Sequence, residues 1–279
     1  MPNIFDPANA ALLARISAAT YQAQFERERW NAEVVEAPDT ETRVIILSDE
    51  ADEIVAFRGT RNIHNWLMDL ECELADDPPG RIHHGFQRAL DSIEGELVRA
   101  LENLKSRRVW MAGHSLGGAL AVLCARRLLP LNLAGVYTFG QPRVGDSPFA
   151  QFYNSQLKPL TWRVVYADDI VPRIPWMPGG YRHAGHEVFY PAGRRSRGAG
   201  PAGAAPYQID PPLWQKLPSD LRGLAREAWR GKLALLNDHH IDNYVKLFPN
   251  LNPSPNLNLP PDDSEGGRGI KIRITMRSR

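Results

Sequence analysis

The residues best suited to covalent chemistry in this 279-residue chain form the run Gly113-His114-Ser115-Leu116-Gly117. An apolar stretch at residues 109–112 precedes this run, and a segment of helical composition at residues 119–129 follows it. A serine between glycines at this spacing, on a tight turn from a strand into a helix, has its hydroxyl held outward for attack on a substrate. The glycines are needed because neighbouring backbone passes too close to leave room for a Cβ. The pattern therefore predicts that Ser115 is a nucleophile.

The same turn also offers a donor for a developing negative charge. With Ser115 at the start of a helix, the backbone N–H of Leu116 has no partner within that helix. It can therefore bind the oxyanion that forms when a carbonyl is attacked, which makes Leu116 a candidate oxyanion-hole residue.

A serine hydroxyl is a weak nucleophile at neutral pH, so it needs a general base, and the base needs a carboxylate to orient it. In folds that present a serine on such a turn, the acid and then a histidine follow it along the chain. Asp168 and Asp169 directly follow the predicted strand at residues 161–167, and either can serve on physical grounds. His239 and His240 stand at the entrance of a later predicted helix, and one of this pair is the expected base.

The elements that must position these groups alternate between strands and helices. This alternation is typical of an α/β fold with a largely parallel central sheet. The predicted core strands are residues 109–113, 134–140 and 161–167. A hairpin is predicted at residues 43–48 and 53–59, and further helices at residues 7–23, with Asp6 as N-cap, and 85–106.

Composition excludes several classes of function. The 33 Lys+Arg and 32 Asp+Glu residues leave a formal net charge of +1, which argues against a nucleic-acid binder and against steering of an acidic substrate. No stretch approaches the roughly 18 apolar residues needed to cross a bilayer, so membrane contact is expected to be peripheral. The N-terminus lacks the features of a secretory signal, so the chain is expected to be cytoplasmic, or secreted if it is a mature form.

Cysteines and histidines give no sign of a metal site or a disulfide framework. The chain has two cysteines, Cys72 and Cys124, and neither forms a C-x-x-C pair or another metal-ligand spacing. We therefore expect no metal and no cofactor.

Several further motifs occur in a fixed order around the serine turn. They are Val55-Ala56-Phe57-Arg58-Gly59-Thr60 with Asn65-Trp66-Leu67-Met68-Asp69-Leu70, His83-His84-Gly85-Phe86, Thr138-Phe139-Gly140-Gln141-Pro142-Arg143-Val144-Gly145, Asp169-Ile170-Val171-Pro172, and Asp238-His239 followed by Tyr244. Jointly these motifs resemble the class 3 lipase family, the filamentous-fungal type of α/β-hydrolase. The resemblance covers roughly residues 5–191 and 237–248, which is most of the chain.

The resemblance implies an α/β-hydrolase fold and a carboxylic ester hydrolase of the triacylglycerol lipase type. It selects Asp169 over Asp168 as the acid and His239 over His240 as the base of Ser115. It also implies that Thr60 is the second oxyanion donor, opposite Leu116. Two departures, Asp146 in place of a common Asn and an insertion at about residues 191–236, leave the shape of the acyl or alcohol pocket unpredicted.

One apolar stripe follows the predicted oxyanion segment. Its members fall at i, i+3, i+4, i+7 and i+11 and are Ile63, Trp66, Leu67, Leu70 and Leu74. Such a stripe usually faces a core. Here the resemblance implies a short helical lid, with Ile63, Trp66, Leu67 and Leu70 as lid and substrate-binding residues. A lid of this kind covers the site in water and opens at a lipid–water interface.

The chain is expected to form a single α/β-hydrolase domain at residues 1–250, followed by a Pro/Asn-rich tail at 251–279 that ends in a basic edge strand. The expected substrate is a lipid or a small ester, and no oligomeric state is predicted. The alternatives are a phospholipase or a general or feruloyl-type carboxylesterase. A non-catalytic lipid-binding or signalling module is the alternative of another class, and the presence of Ser115, Asp169 and His239 argues against it.

Overall fold

A mostly parallel sheet lies at the centre of the computed structural model, as the alternation of strands and helices predicts. The structure describes residues 4–22, 30–61, 63, 73–101, 107–129, 132–175, 180–191, 236–249 and 251. The strands of the described part are β1 (Asn31–Ala37), β2 (Thr42–Ser48), β3 (Asp52–Phe57), β4 (Leu74–Asp77), β5 (Gly80–His83), β6 (Arg108–His114), β7 (Leu133–Phe139), β8 (Thr161–Tyr166) and β9 (His186–Tyr190). The helices are α1 (Pro7–Ala19), α2 (His84–Leu101), α3 (Leu116–Arg127), α4 (Ser147–Leu157) and α5 (Ile241–Lys246).

The central sheet has seven strands in the order β1-β2-β3-β6-β7-β8-β9. The first three pair antiparallel, so the predicted hairpin is present as β2 and β3. From β3 onward every pairing is parallel. Because parallel strands point the same way, the loops that follow β3, β6, β7 and β8 meet at one edge of the sheet, where α/β proteins place their ligand sites.

Helices cover both faces of this sheet. Alternate residues of a strand point to opposite faces, and β3 shows this directly. Val55 and Phe57 pack in the core that includes α2, α3 and α4. Ile54 and Ala56 pack in the second core, with α1 and α5. The sheet is therefore buried on both sides, which explains the nearly continuous apolar runs of its parallel strands.

The first helix begins where the sequence predicts. The Asp6 carboxylate accepts hydrogen bonds from the backbone N–H groups of Ala8, at 2.8 Å, and Asn9, and Pro7 occupies the first helical position. Such a cap satisfies donors that the helix itself cannot. The helix ends at Ala19, earlier than the predicted residue 23, because Thr20 and Tyr21 leave the helix in a turn.

Several predictions fall on residues that the structure does not describe. The lid residues Trp66, Leu67 and Leu70 lie outside the described part, as do most of the insertion at 191–236 and of the tail at 251–279. The small antiparallel hairpin of β4 and β5 was not predicted. Within the described residues, no helix combines the length and apolar character that spanning a bilayer requires.

Candidate active site

The predicted nucleophile lies on a strained turn between β6 and α3. Ser115 has φ of +58°, which a residue with a Cβ rarely adopts, and its side chain is buried. A Cβ built on Gly113 would lie 2.3 Å from the backbone of Gly117, and one on Gly117 would lie 2.2 Å from the Phe57 carbonyl oxygen. Both glycines are therefore required by close backbone approach, and the turn projects Ser115 at the carboxyl edge of the sheet.

The predicted acid and base form a buried pair. His239 Nδ1 lies 2.8 Å from Asp169 Oδ2, and the two side chains are 3% and 0% exposed. The other carboxylate oxygen of Asp169 accepts a hydrogen bond from the Val171 N–H at 2.9 Å. Since a carboxylate can only accept, the proton lies on His239 Nδ1 when the ring is neutral, and Nε2 is then the nitrogen that can take a proton.

The two atoms between which a proton would pass make no hydrogen bond within the described part of the chain. Ser115 Oγ and His239 Nε2 are both buried, and neither has a hydrogen-bond partner among the described residues. Buried polar atoms without partners are uncommon in folded proteins. In apo structures the hydrogen bond between a nucleophile and its base is often long and tightens only when substrate binds.

The structure separates the two pairs of candidates that the residues alone left open. The Asp168 side chain is 73% exposed and faces Arg173 at 3.8 Å, and the His240 side chain is 75% exposed and faces Asp242 at 3.8 Å. Neither of them lies in the buried pair. The geometry therefore favours the same acid and base as the resemblance.

The Asp169 carboxylate has a further hydrogen-bond donor, Tyr244, to which the sequence motifs assign no role. The Tyr244 hydroxyl, on α5, donates to Asp169 Oδ2 and accepts from the Tyr166 N–H at 3.4 Å. Burial, followed by the charge of Asp169, raises the pKa of Tyr244 well above its ordinary value. The hydroxyl therefore stays protonated and donates to the carboxylate. The only signal in the sequence was the position of Tyr244 five residues after His239.

The two predicted oxyanion residues line one pocket. Thr60, in the segment after β3, and Leu116, the first residue of α3, border a cavity of about 220 Å³. The remaining lining residues are mostly polar: Asp39, Thr40, Glu41, Thr42, Arg58, Gly59, Arg61 and Leu120. The backbone N–H groups at a helix start are free to bind a negative charge, so this cavity adjoins a site suited to an oxyanion.

Other reactive groups of the described part do not add to this site. Cys124 is a free thiol buried on α3, and burial raises its pKa, so it is inert rather than nucleophilic. No group of three or more His, Cys, Asp or Glu side chains in the described ranges is arranged to hold a metal ion. Of the predicted lid residues, the described one is Ile63, which is half-buried.

Comparisons with known proteins identify lipases as relatives of this chain. Residues 54–178 match the family model described as Lipase (class 3). A lipase from Rhizomucor miehei is 38% identical over 164 residues, which are 54% of this chain and 45% of the relative. A secreted mono- and diacylglycerol lipase from Fusarium solani is 33% identical over 153 residues, or 50% of this chain and 44% of the relative. The chain thus spans slightly less than half the length of these curated relatives.

A solved structure extends the comparison to the fold. The triacylglyceride lipase of Rhizomucor miehei superposes with a TM-score of 0.59 at 30% identity, covering 64% of this chain and 78% of that chain. The region matched by the family model contains Ser115 and Asp169 but ends before His239. Because the family model, the shared identity and the fold agree, the chain belongs to the class 3 lipase family and has the α/β-hydrolase fold.

Proposed function

We propose that this chain is a serine hydrolase that cleaves carboxylic esters of lipids, with triacylglycerol as the substrate. The observation that carries the proposal is the buried pair of Asp169 and His239, 2.8 Å apart, at the same edge of the parallel sheet as a serine on a strained strand-to-helix turn. A base oriented by a carboxylate and a serine held outward are the two parts that acyl transfer through an acyl-enzyme requires.

The reaction proceeds in two half-reactions. His239 Nε2 takes the Ser115 hydroxyl proton while Oγ attacks the ester carbonyl carbon. The backbone N–H groups of Thr60 and Leu116 bind the resulting oxyanion, and Asp169 stabilises the imidazolium. His239 then gives its proton to the leaving alcohol, which forms the acyl-enzyme. Water repeats the sequence, and the fatty acid leaves with Ser115 restored.

The substrate class rests on the relatives and on the charge of the chain. Relatives are named as a triacylglyceride lipase and as a mono- and diacylglycerol lipase. A formal net charge of +1 provides no long-range attraction for an anionic substrate, which suits a neutral glyceride. Phospholipids and feruloyl or other carboxylic esters are the alternatives that an assay must separate.

A substrate panel tests this proposal. Purified chain is assayed on p-nitrophenyl esters from acetate to palmitate, and on emulsified tri-, di- and monoolein, phosphatidylcholine and methyl ferulate. We expect the highest turnover on a long-chain glyceride emulsion. We expect Ser115→Ala to lower every rate by several orders of magnitude. The matched control is Ser155→Ala, since Ser155 is exposed on α4, where its hydroxyl donates to the Phe152 carbonyl oxygen and accepts from Gln156 Nε2. Ester hydrolysis that persists in Ser115→Ala would overturn the assignment.

We also propose that the apolar stripe of Ile63, Trp66, Leu67 and Leu70 is a lid that opens at a lipid–water interface. The stripe directly follows Thr60, so it lies close along the chain to the oxyanion site. Burying a large apolar side chain at an oily surface is favourable by about 1.5–3 kcal/mol, and several such residues can shift a two-state lid. The test is the rate on tributyrin as its concentration passes the solubility limit. A rise at that limit is expected, and smooth saturation would contradict the proposal.

The expectation of a cytoplasmic location is not supported by the relatives. The relative from Fusarium solani is named as secreted. We therefore propose the secreted alternative. Immunodetection in the culture medium of the source organism checks it, and detection only inside cells would refute it.

A further inference from the structure

We propose, on the basis of the function proposed above, that Tyr21 and His114 form a hydrogen-bonded chain that positions both the general base and the oxyanion segment. Neither residue forms a hydrogen bond with the reacting atoms, Ser115 Oγ and His239 Nε2. They are positioning residues, because they act through the backbone of His239 at one end and of Gly59 at the other. These hydrogen bonds join Tyr21, His114 and His239, which are far apart in the sequence and close together in the fold.

The link to the base fixes the direction of the hydrogen bonds. His114 Nε2 lies 2.7 Å from the backbone carbonyl oxygen of His239. A carbonyl only accepts, so Nε2 carries the proton. In a neutral ring Nδ1 is then an acceptor. The Tyr21 hydroxyl lies 2.9 Å from Nδ1 and must be the donor.

The link to the oxyanion segment runs through the same hydroxyl. The Tyr21 hydroxyl oxygen packs closely against Gly59, the residue before Thr60. A Cβ on Gly59 would lie 2.1 Å from that oxygen, so a side chain at this position would break the link. The Tyr21 hydroxyl therefore packs on the Gly59 backbone on one side, and on the other it begins the hydrogen bonds that pass through His114 to the His239 carbonyl oxygen.

Packing and charge keep Tyr21 and His114 in one protonation state. The His114 ring stacks on the His239 ring with centroids 4.6 Å apart. Burial, followed by the neighbouring His239, lowers the pKa of His114 well below its ordinary value, and burial raises the pKa of Tyr21. Both groups therefore stay neutral at neutral pH. A neutral ring is needed at this place, because His239 becomes a cation in each half-reaction and a second cation 4.6 Å away would oppose it.

These hydrogen bonds connect Tyr21, which follows α1, with the proposed active site. Tyr21 follows α1 and lies outside residues 54–178, which the family model matches. It is separated from His114 by 93 positions, and His114 is separated from His239 by 125. The Tyr21 hydroxyl thus connects the end of α1 with the segment that follows β3 and with the last residue of β6.

The test is Tyr21→Phe, which removes the hydroxyl and keeps the ring. The matched control is Tyr153→Phe. Tyr153 is fully buried in the core on the other face of the sheet, where its hydroxyl lies 2.9 Å from Thr161 Oγ1. We measure kcat and KM on soluble p-nitrophenyl butyrate, the rate of labelling by a fluorophosphonate, and the unfolding midpoint. Labelling reports on the nucleophile and the oxyanion site without turnover.

For Tyr21→Phe we expect kcat and the labelling rate to fall about tenfold, which corresponds to about 1.4 kcal/mol, with KM changed less than twofold. For Tyr153→Phe we expect a similar fall in the unfolding midpoint and no change in kcat. His114→Phe keeps a ring against His239 but has no nitrogen, and we expect it to lower kcat in the same direction.

Two outcomes overturn the inference and are distinguishable from a failure of the proposed function. The first outcome is that wild-type activity depends on Ser115, while Tyr21→Phe and His114→Phe both lower the unfolding midpoint and keep the wild-type kcat. The hydrogen bonds of Tyr21 and His114 would then have only a structural role. If Tyr153→Phe lowers kcat as much as Tyr21→Phe, the effect is not specific to this chain. A wild-type chain without Ser115-dependent hydrolysis overturns the proposed function, and this inference with it.

Discussion

The hydroxyl of Tyr244 offers a test of how the acid is held. Asp169 is buried and accepts three hydrogen bonds, from His239 Nδ1, from the Val171 N–H and from the Tyr244 hydroxyl. The substitution Tyr244→Phe removes one of the three and leaves the ring in place. It also leaves the Tyr166 N–H, at 3.4 Å from the hydroxyl, without that partner.

The size of the effect follows from the charge of the acceptor. A hydrogen bond to a charged group contributes about 1.5–3 kcal/mol, against about 0.5–1.5 kcal/mol for a bond between neutral groups. Tyr153→Phe removes a buried bond between two neutral hydroxyls and is again the matched control. We therefore expect Tyr244→Phe to lower the free energy of unfolding by about 1 kcal/mol more than Tyr153→Phe does. We also expect only Tyr244→Phe to lower kcat, because only that hydroxyl holds the carboxylate that orients His239.

The assay pairs denaturant unfolding at pH 7.5 with steady-state hydrolysis of p-nitrophenyl butyrate. The denaturant slope must be the same for the two variants, so that the difference in midpoint reports a difference in stability. Equal losses of stability in the two variants, together with an unchanged kcat in Tyr244→Phe, would refute the reasoning. Such a result would mean that the hydroxyl neither stabilises the charged acid nor orients the base.

Three further predictions concern residues other than the proposed catalytic groups. Burial, and then nearby arginines, lower the pKa of His183 well below 6.5, so the unfolded chain takes up a proton that the folded chain refuses. His183 should therefore contribute a fall in stability of up to about 1.4 kcal/mol per pH unit below pH 6.5, in addition to any contribution of His114, and His183→Asn, unlike the exposed His240→Asn, should reduce the slope in urea titrations. Gly140 has φ of +60°, and a Cβ there would lie 2.8–2.9 Å from atoms of the acid and the base, so Gly140→Ala should lower kcat at least about tenfold in the same hydrolysis assay. Asp52 accepts from the Trp110 indole N–H at 2.9 Å, at the opposite end of the strands from the site, so Asp52→Ala should cost about 2–4 kcal/mol of unfolding free energy but leave kcat per folded molecule unchanged.

The sequence predicts the parts of the molecule that a local pattern specifies. The strands β6, β7 and β8 are apolar runs bounded by turns, and the structure places them within one or two residues of the prediction. The serine turn is predicted because its glycines are required by backbone contacts that any chain folding in this way must make. The N-cap of α1 is also predicted from a local pattern. Asp6 precedes Pro7, and its carboxylate accepts from backbone N–H groups no more than three residues away.

Other features depend on contacts that no local pattern contains. The strand β1 is at a sheet edge, and its residues alternate between exposed and partly buried, so its apolar signal is weak. Spacing cannot decide which of two adjacent aspartates is the acid, so the residues alone do not distinguish Asp168 from Asp169. The fold does distinguish them, because it exposes Asp168 and buries Asp169. The hydrogen bonds of Tyr21 and Tyr244 join segments 75 or more positions apart, which only the packed structure shows.

Covalent labelling of the nucleophile tests the central claim most directly. The 279-residue chain is treated with a fluorophosphonate, and the product is measured by intact mass and by peptide mapping. We predict one adduct per chain, located on Ser115, absent in Ser115→Ala and slowed by orders of magnitude in His239→Ala, because the base is needed to activate the hydroxyl. An adduct on another residue, or labelling of His239→Ala at the wild-type rate, would contradict the account.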